Sequence, residues 1–112
     1  MDCLFCKIIA GDIPSTTVYE DDKIKAFKDI APQAPVHIVI IPKIHVACAD
    51  GINADNSAYI AYIFEKIPEI AKLCGLTNGY RIINNCGDDA CQSVKHIHFH
   101  LLGGKKLPET MA

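Results

Sequence analysis

From residue 36 the chain reads VHIVIIP, an apolar run rich in β-branched residues and bounded by Pro35 and Pro42. Such a run predicts a well-buried strand. The period then changes: Ile60, Ile63, Phe64, Ile67, Ile70 and Ala71 recur at three- and four-residue steps. That spacing draws one apolar face of a helix over 56–73. Asp55 or Asn56 stands where an N-cap belongs, and Gly75 follows the last turn as a terminating glycine. Pro68 lies inside the pattern and is expected to kink the helix or divide it in two. The flanking segments are shorter. KIIAGDIP reads as a helical turn stopped by Gly11 and Pro14. TVYEDDKIKAFKDI reads as a hairpin in which Val18 and Tyr19 lead into an Asp21-Asp22 turn and Ile24, Ala26 and Phe27 follow. YRIINN predicts a strand, CGDDACQS a loop, and VKHIHFHLLG the final strand. Strands on both sides of one main helix predict an α+β domain with a largely antiparallel sheet. No repeat or linker-like break interrupts the pattern, so residues 1–112 are expected to form a single domain.

Composition narrows the function classes. A formal net charge of −2 over 112 residues gives no electrostatic reason to expect nucleic acid or an anionic membrane as partner. No apolar run approaches the roughly 20 residues needed to span a bilayer. The opening MDCLFCKIIAGDIP lacks the basic and apolar regions of a signal peptide, so a soluble, cytoplasmic protein is expected. There are 6 cysteines, and in that compartment they should stay reduced, which makes closely spaced pairs metal candidates. Only Cys3 and Cys6 form a C-x-x-C pair; Cys48, Cys74, Cys86 and Cys91 read as small hydrophobes.

The chemistry concentrates in KHIHFHLLGG. Alternate residues of a strand share a face, so His96, His98 and His100 would line one side and Ile97, Phe99 and Leu101 the other. The apolar side belongs to the core. The imidazoles, about 7 Å apart, should look into a cleft or solvent, because burying three unpaired rings is costly. Three uses compete: outward-facing polar residues, a three-histidine metal centre that activates water, and an imidazole nucleophile acting on phosphorus with its neighbours in support. The strand alone does not choose between the last two.

HIHFHLL matches the H-φ-H-φ-H-φ-φ signature (φ apolar) of the histidine triad family of nucleotide hydrolases and transferases. FCKIIAGDIPSTTVYEDD, AFKDIAPQAPVHIVIIPKIH, GYRIINN and QSVKHIHFHLLGG together resemble its Hint branch over nearly the whole chain. The resemblance implies a five-stranded, largely antiparallel sheet with one main helix and a short N-terminal helix, the sheet continuing across a homodimer. It implies a purine nucleotide or nucleoside monophosphate as ligand and hydrolysis at the α-phosphate of substrates of the nucleoside phosphoramidate type. His98 matches the nucleophile that forms a nucleotidyl-histidine. His100 and His37 match supporting imidazoles at the phosphate, and Ser93 a hydroxyl near the leaving group. Asn85 matches an asparagine at the phosphate, Gln92 a polar residue near the scissile bridge, and Asp29 an acceptor for the ribose hydroxyls. Leu4, Phe5, Phe27 and Ile30 match the apolar slot for the base. A dinucleoside polyphosphate hydrolase and a non-catalytic nucleotide-binding regulator are the alternatives.

Two features depart from the family pattern. Cys91 occupies a position that often holds glycine, so a side chain must accept glycine-type backbone geometry. The tail KKLPETMA lacks the tryptophan-proline ending of eukaryotic Hint proteins. The resemblance also strengthens a scattered ligand set, Cys3, Cys6, His45 and His96, which matches a structural zinc carried by some bacterial members. That donor mix suits tetrahedral zinc, which would tie the N-terminal segment to the histidine strand and take no part in catalysis.

Overall fold

The computed structural model describes residues 3–110. Helix α1 spans Leu4–Ala10, strands β1, β2 and β3 span Thr17–Glu20, Ile24–Lys28 and Val36–Pro42, and helix α2 spans Ser57–Leu73. Strand β4 (Arg81–Ile83) and strand β5 (Phe99–Gly103) complete a five-stranded sheet in the order β1-β2-β3-β5-β4. Every neighbouring pair is antiparallel, as expected for the α+β class.

The strand period sorts the core into two layers. Ile24, Ala26, Ile38, Ile40, Phe99 and Leu101 face α2 and pack with Ile63, Ile67, Ile70 and Ala71. Each fully buried isoleucine on that helix contributes about 2 kcal/mol of apolar burial. Phe27, Val39 and Ile41 face the other way and pack with Phe5 and Ile8 of α1. Helix α1 is capped by Cys3, whose sulfur accepts from the Cys6 N–H at 3.3 Å, and it stops at Gly11, where φ is 84°. At the β1–β2 turn, Asp21 Oδ1 accepts from the N–H groups of Lys23 at 2.8 Å and Ile24 at 3.0 Å, closing the reversal with one carboxylate.

Helix α2 differs from expectation at Pro68, which neither divides it nor ends it. Proline leaves the Phe64 carbonyl without its intrahelical donor. Pro68 and Phe64 are both exposed, so water can satisfy that oxygen while the buried face runs on. The C-terminus closes as the spacing predicts: Gly75 has φ 74°, Leu76 N–H donates to Ala71 O at 2.9 Å, and Gly75 N–H to Lys72 O at 3.1 Å. Asn56 holds the N-cap position without capping. Its side chain turns back to bond Asn53 N–H at 2.8 Å and Gly51 O at 2.9 Å.

Strand β5 is also shorter than the predicted 94–103, beginning at Phe99. His96, Ile97 and His98 precede it because their polar groups are engaged elsewhere. Ile97 N–H donates to Val46 O at 2.6 Å, and His96 O accepts from the His98 ring at 2.8 Å. Likewise the predicted strand 80–85 pairs only over Arg81–Ile83.

Candidate functional site

The histidine alternation survives the shortening of β5. Ile97, Phe99 and Leu101 enter the α2 layer, while the rings of His96 and His98 stack edge-on against Phe5 of α1, with centroids 5.9 and 5.0 Å away. The imidazoles are more buried than expected: His96 is 0% and His98 4% exposed. Partners offset the desolvation cost. His96 Nε2 lies 3.0 Å from Pro42 O and His98 Nδ1 2.8 Å from His96 O. A carbonyl only accepts, so each of those nitrogens carries the proton. The lone pair of His98 therefore sits on Nε2, that of His96 on Nδ1.

Register brings in a fourth imidazole. Val39 pairs with His100 and His37 with Leu102, which sets His37 and His100 diagonally on adjacent strands of the α1 face. His37 Nδ1 accepts from Gln33 N–H at 3.0 Å, so the neutral ring carries its proton on Nε2. That proton is donated to His100 Nδ1 at 2.8 Å, and Asp29 Oδ2 lies 3.4 Å from His37 Nε2. His100 in turn keeps its proton on Nε2. The chain of bonds leaves one imidazole with a free lone pair beside another with a free N–H, their centroids 5.1 Å apart. Burial pushes the pKa of His37 and His96 down, and that of His100 down to about 4, where the neighbouring His98 and His37 add to the effect.

His98 and His100 line a cleft of about 600 Å³. Asp29 and Ser93 stand with them, and Leu4, Phe5, Phe27 and Ile30 make much of its apolar wall. Ile30 is fully exposed and forms rim, not slot. His37 lies behind the cleft wall, reaching it through His100. Asn85 and Gln92 are not among the lining residues. The Gln92 amide is spent inside its own loop, donating to Ala47 O at 2.7 Å and Val94 O at 2.9 Å and accepting from Gly87 N–H at 2.9 Å.

Other groups in the site carried no pattern in the sequence. Asn84 Nδ2 donates to His98 O at 2.8 Å and holds the backbone of the central histidine. Ser15 lines the cleft with a buried Oγ that has no protein partner, a group available to a ligand. Lys28 adds the only lysine to the wall. An amphiphilic molecule with a flat apolar body and an anionic head fits this division of surfaces.

Behind the cleft, Cys3, Cys6, His45 and His96 converge. The His96 Nδ1 lone pair lies 3.4 Å from Cys3 Sγ, 3.6 Å from Cys6 Sγ and 3.2 Å from His45 Nδ1, and Cys6 Sγ is 3.4 Å from His45 Nδ1. A tetrahedral zinc with Zn–S near 2.3 Å and Zn–N near 2.0 Å has S···N edges of about 3.5 Å and an N···N edge of about 3.3 Å. The four donors fit such an ion.

The HIT domain model matches residues 10–107. The chain belongs to the HIT family. A 14 kDa zinc-binding protein of Zea mays is 48% identical over 109 residues, covering 93% of this chain and 83% of that protein. The Arabidopsis thaliana protein named Adenylylsulfatase HINT1 is 44% identical over 110 residues, covering 93% of this chain and 72% of its own length. A HIT family hydrolase from Clostridium thermocellum superposes with a TM-score of 0.95 at 45% identity, covering 99% of this chain and 97% of that one. These likenesses place the chain in the Hint-like branch, and its fold is the HIT fold. No helix among the described residues is long and apolar enough to cross a membrane.

Proposed function

We propose that the protein hydrolyses purine nucleotide esters, amidates or mixed anhydrides at the α-phosphate, through a nucleotide covalently held on His98. The observation that carries this is the pair of fixed tautomers: His98 keeps a lone pair and His100 an N–H, on two rings 5.1 Å apart that both line the cleft. The base would occupy the apolar wall, with Asp29 accepting from the ribose hydroxyls. His98 Nε2 attacks phosphorus as the bond to the leaving group breaks, and the departing electron pair goes to that group, which takes the proton of the Ser93 hydroxyl. His100 donates to a non-bridging oxygen whose charge grows in the transition state. The His98 ring is then cationic, and its Nδ1–H remains on the His96 carbonyl, which stabilises the positive charge. Water next attacks phosphorus and returns a proton to the Ser93 oxygen, the N–P bond breaks with its electron pair left on His98 Nε2, and a nucleoside monophosphate leaves. The name of the Arabidopsis relative, denoting hydrolysis of an adenylyl sulfate, accords with this chemistry.

Zinc in the Cys3, Cys6, His45 and His96 set would supply rigidity to the segment carrying His98, with no position open to substrate. A homodimer is part of the same proposal. Strand β4 is one of the two sheet edges, and Phe64, Leu73 and Tyr80 are 47%, 61% and 40% exposed, which suits burial against a second copy.

Rapid quench with an adenosine phosphoramidate labelled at phosphorus tests the reaction. Wild-type protein should carry acid-labile nucleotide, while His98→Ala should carry none, lose at least about 10³-fold in turnover and still bind AMP. Near-normal turnover by His98→Ala, abolished when metal is removed, would identify a hydrolytic metal centre instead.

A further inference from the structure

We propose that Cys48, Asp50 and Cys86 form a second metal site, which takes a thiophilic divalent cation of the zinc class through two thiolates and one carboxylate. Their two sulfurs and a carboxylate oxygen all lie within 4.8 Å of one another. None of the three belongs to the Cys3, Cys6, His45 and His96 set. A tetrahedral zinc asks for an S···S edge of about 3.8 Å and S···O edges of about 3.5 Å, and the donors already lie no more than 4.8 Å apart. Sulfur ligands favour zinc-like ions over magnesium or calcium.

The two cysteines are not core residues. Both are half-buried and absent from the buried apolar set, so packing does not account for them. What brings them together is a third side chain. Gln92, only 6% exposed, donates to Ala47 O at 2.7 Å and accepts from Gly87 N–H at 2.9 Å. Those are the residues next to Cys48 and Cys86. One buried amide therefore clamps the two loops that carry the donors, and the cost of bringing them together is met by folding. Cys48 holds the N-cap position of the 3₁₀ turn Ala49–Gly51 and Asp50 lies within it, which adds the carboxylate from the same loop. Asp50 is exposed, giving the cation a path from solvent. On binding, both thiols release protons and the carboxylate contributes its charge, so the occupied site carries a net −1. Three protein ligands leave the fourth position to water or an added anion, whereas the other set is closed.

The test uses the full chain, reduced with a phosphine and titrated with cadmium and with zinc. Cadmium NMR should show two resonances at two equivalents, since a site with two sulfurs and two nitrogens differs from one with two sulfurs and oxygen. The Cys48→Ser/Cys86→Ser variant should lose one resonance and bind one equivalent fewer by elemental analysis. Asp50→Asn, at an exposed position, should weaken the second equivalent by about tenfold or more and leave the first unchanged. A single equivalent in reduced wild-type protein would overturn the proposal. So would a second equivalent that survives in both variants, or a Cys48–Cys86 disulfide that persists in reductant, seen as two missing thiols and a mass lower by two hydrogen atoms.

Discussion

The carbonyl oxygen of His96 accepts the Nδ1 proton of His98 at 2.8 Å. His96 thus has two tasks. Its ring directs Nδ1 toward Cys3, Cys6 and His45, and its backbone decides which nitrogen of His98 is free. Any slack in the Cys/His set is transmitted to His98 through one short bond. Asn84 restrains the same segment from the other side by bonding the His98 carbonyl.

Loss of the thiolates should therefore harm stability more than chemistry. Cys3→Ser with Cys6→Ser is expected to lower the melting temperature by more than about 10 °C, because metal binding energy is folding energy. Turnover per folded molecule should fall far less than in His98→Ala. Calorimetry with and without a chelator, beside turnover at a temperature where both proteins are folded, checks this. A variant as stable as wild type would remove zinc from the fold.

The His37–His100 bond predicts an unequal pair of losses. His100 faces the cleft and His37 only orients it, so His100→Ala should reduce kcat by about 10² to 10³ and His37→Ala by about tenfold. Burial, with help from His98 and His37, lowers the His100 pKa from 6.5 to about 4. The unfolded chain then binds a proton at this residue that the folded one refuses. Its contribution is complete above about pH 6.5 and drains away as the pH falls toward 4. NMR titration of the His100 ring should give a midpoint near 4, and a midpoint near 6.5 would contradict the assignment.

The layers and the histidine face could be read from the sequence because both follow from period alone. Ile38 and Ile40 go one way, Val39 and Ile41 the other, and Ile97, Phe99 and Leu101 join the first layer. What period does not encode is register. The meeting of His37 with His100 depends on Val39 pairing with His100, a relation between strands far apart in the chain. Nor does residue type show how a polar group is spent. Gln92 and Asn84 are both plain amides in the sequence; one braces a loop and the other holds the His98 backbone. Pro68 misled for a related reason, since its cost falls on a carbonyl that water can reach.

Asp21 joins the hairpin to the helix. Burial alone would raise its pKa, but hydrogen bonds from Tyr62, Lys23 N–H, Tyr19 and Ile24 N–H outweigh that and hold it well below the ordinary 3.8. A depressed carboxylate stabilises the fold above its unfolded pKa and stops doing so as pH falls through its folded one. Stability should therefore drop steeply below about pH 4, a window distinct from that of His100. Asp21→Asn should be less stable at pH 7 and show a flatter decline below pH 4. Tyr62→Phe, which removes the 2.6 Å bond to Oδ2, should give a smaller version of the same change. Urea unfolding at a series of pH values measures both, and parallel curves for wild type and Asp21→Asn would refute the role.

Cys91 has φ 57° and ψ 41°, and it is the only non-glycine residue with positive φ among the described residues. The β-carbon that the family pattern usually avoids is therefore held in the left-handed region, at a cost of about 1 kcal/mol. This turn is what sends the chain from the exposed Asp88–Ala90 segment inward, burying Gln92 and bringing Ser93 to the cleft wall. Cys91→Gly relieves the strain but adds about 0.7 kcal/mol of unfolded-state entropy, so its net effect should stay within about 0.5 kcal/mol of zero. Cys91→Val places a β-branched side chain where the backbone tolerates it least and should cost a further 1 to 2 kcal/mol, roughly. Because the same turn aims Ser93, the valine variant should also lose turnover while the glycine variant keeps it. Denaturant midpoints and kcat for the two variants decide the matter: equal stability and equal activity would mean that the turn tolerates any residue and does not set the position of Ser93.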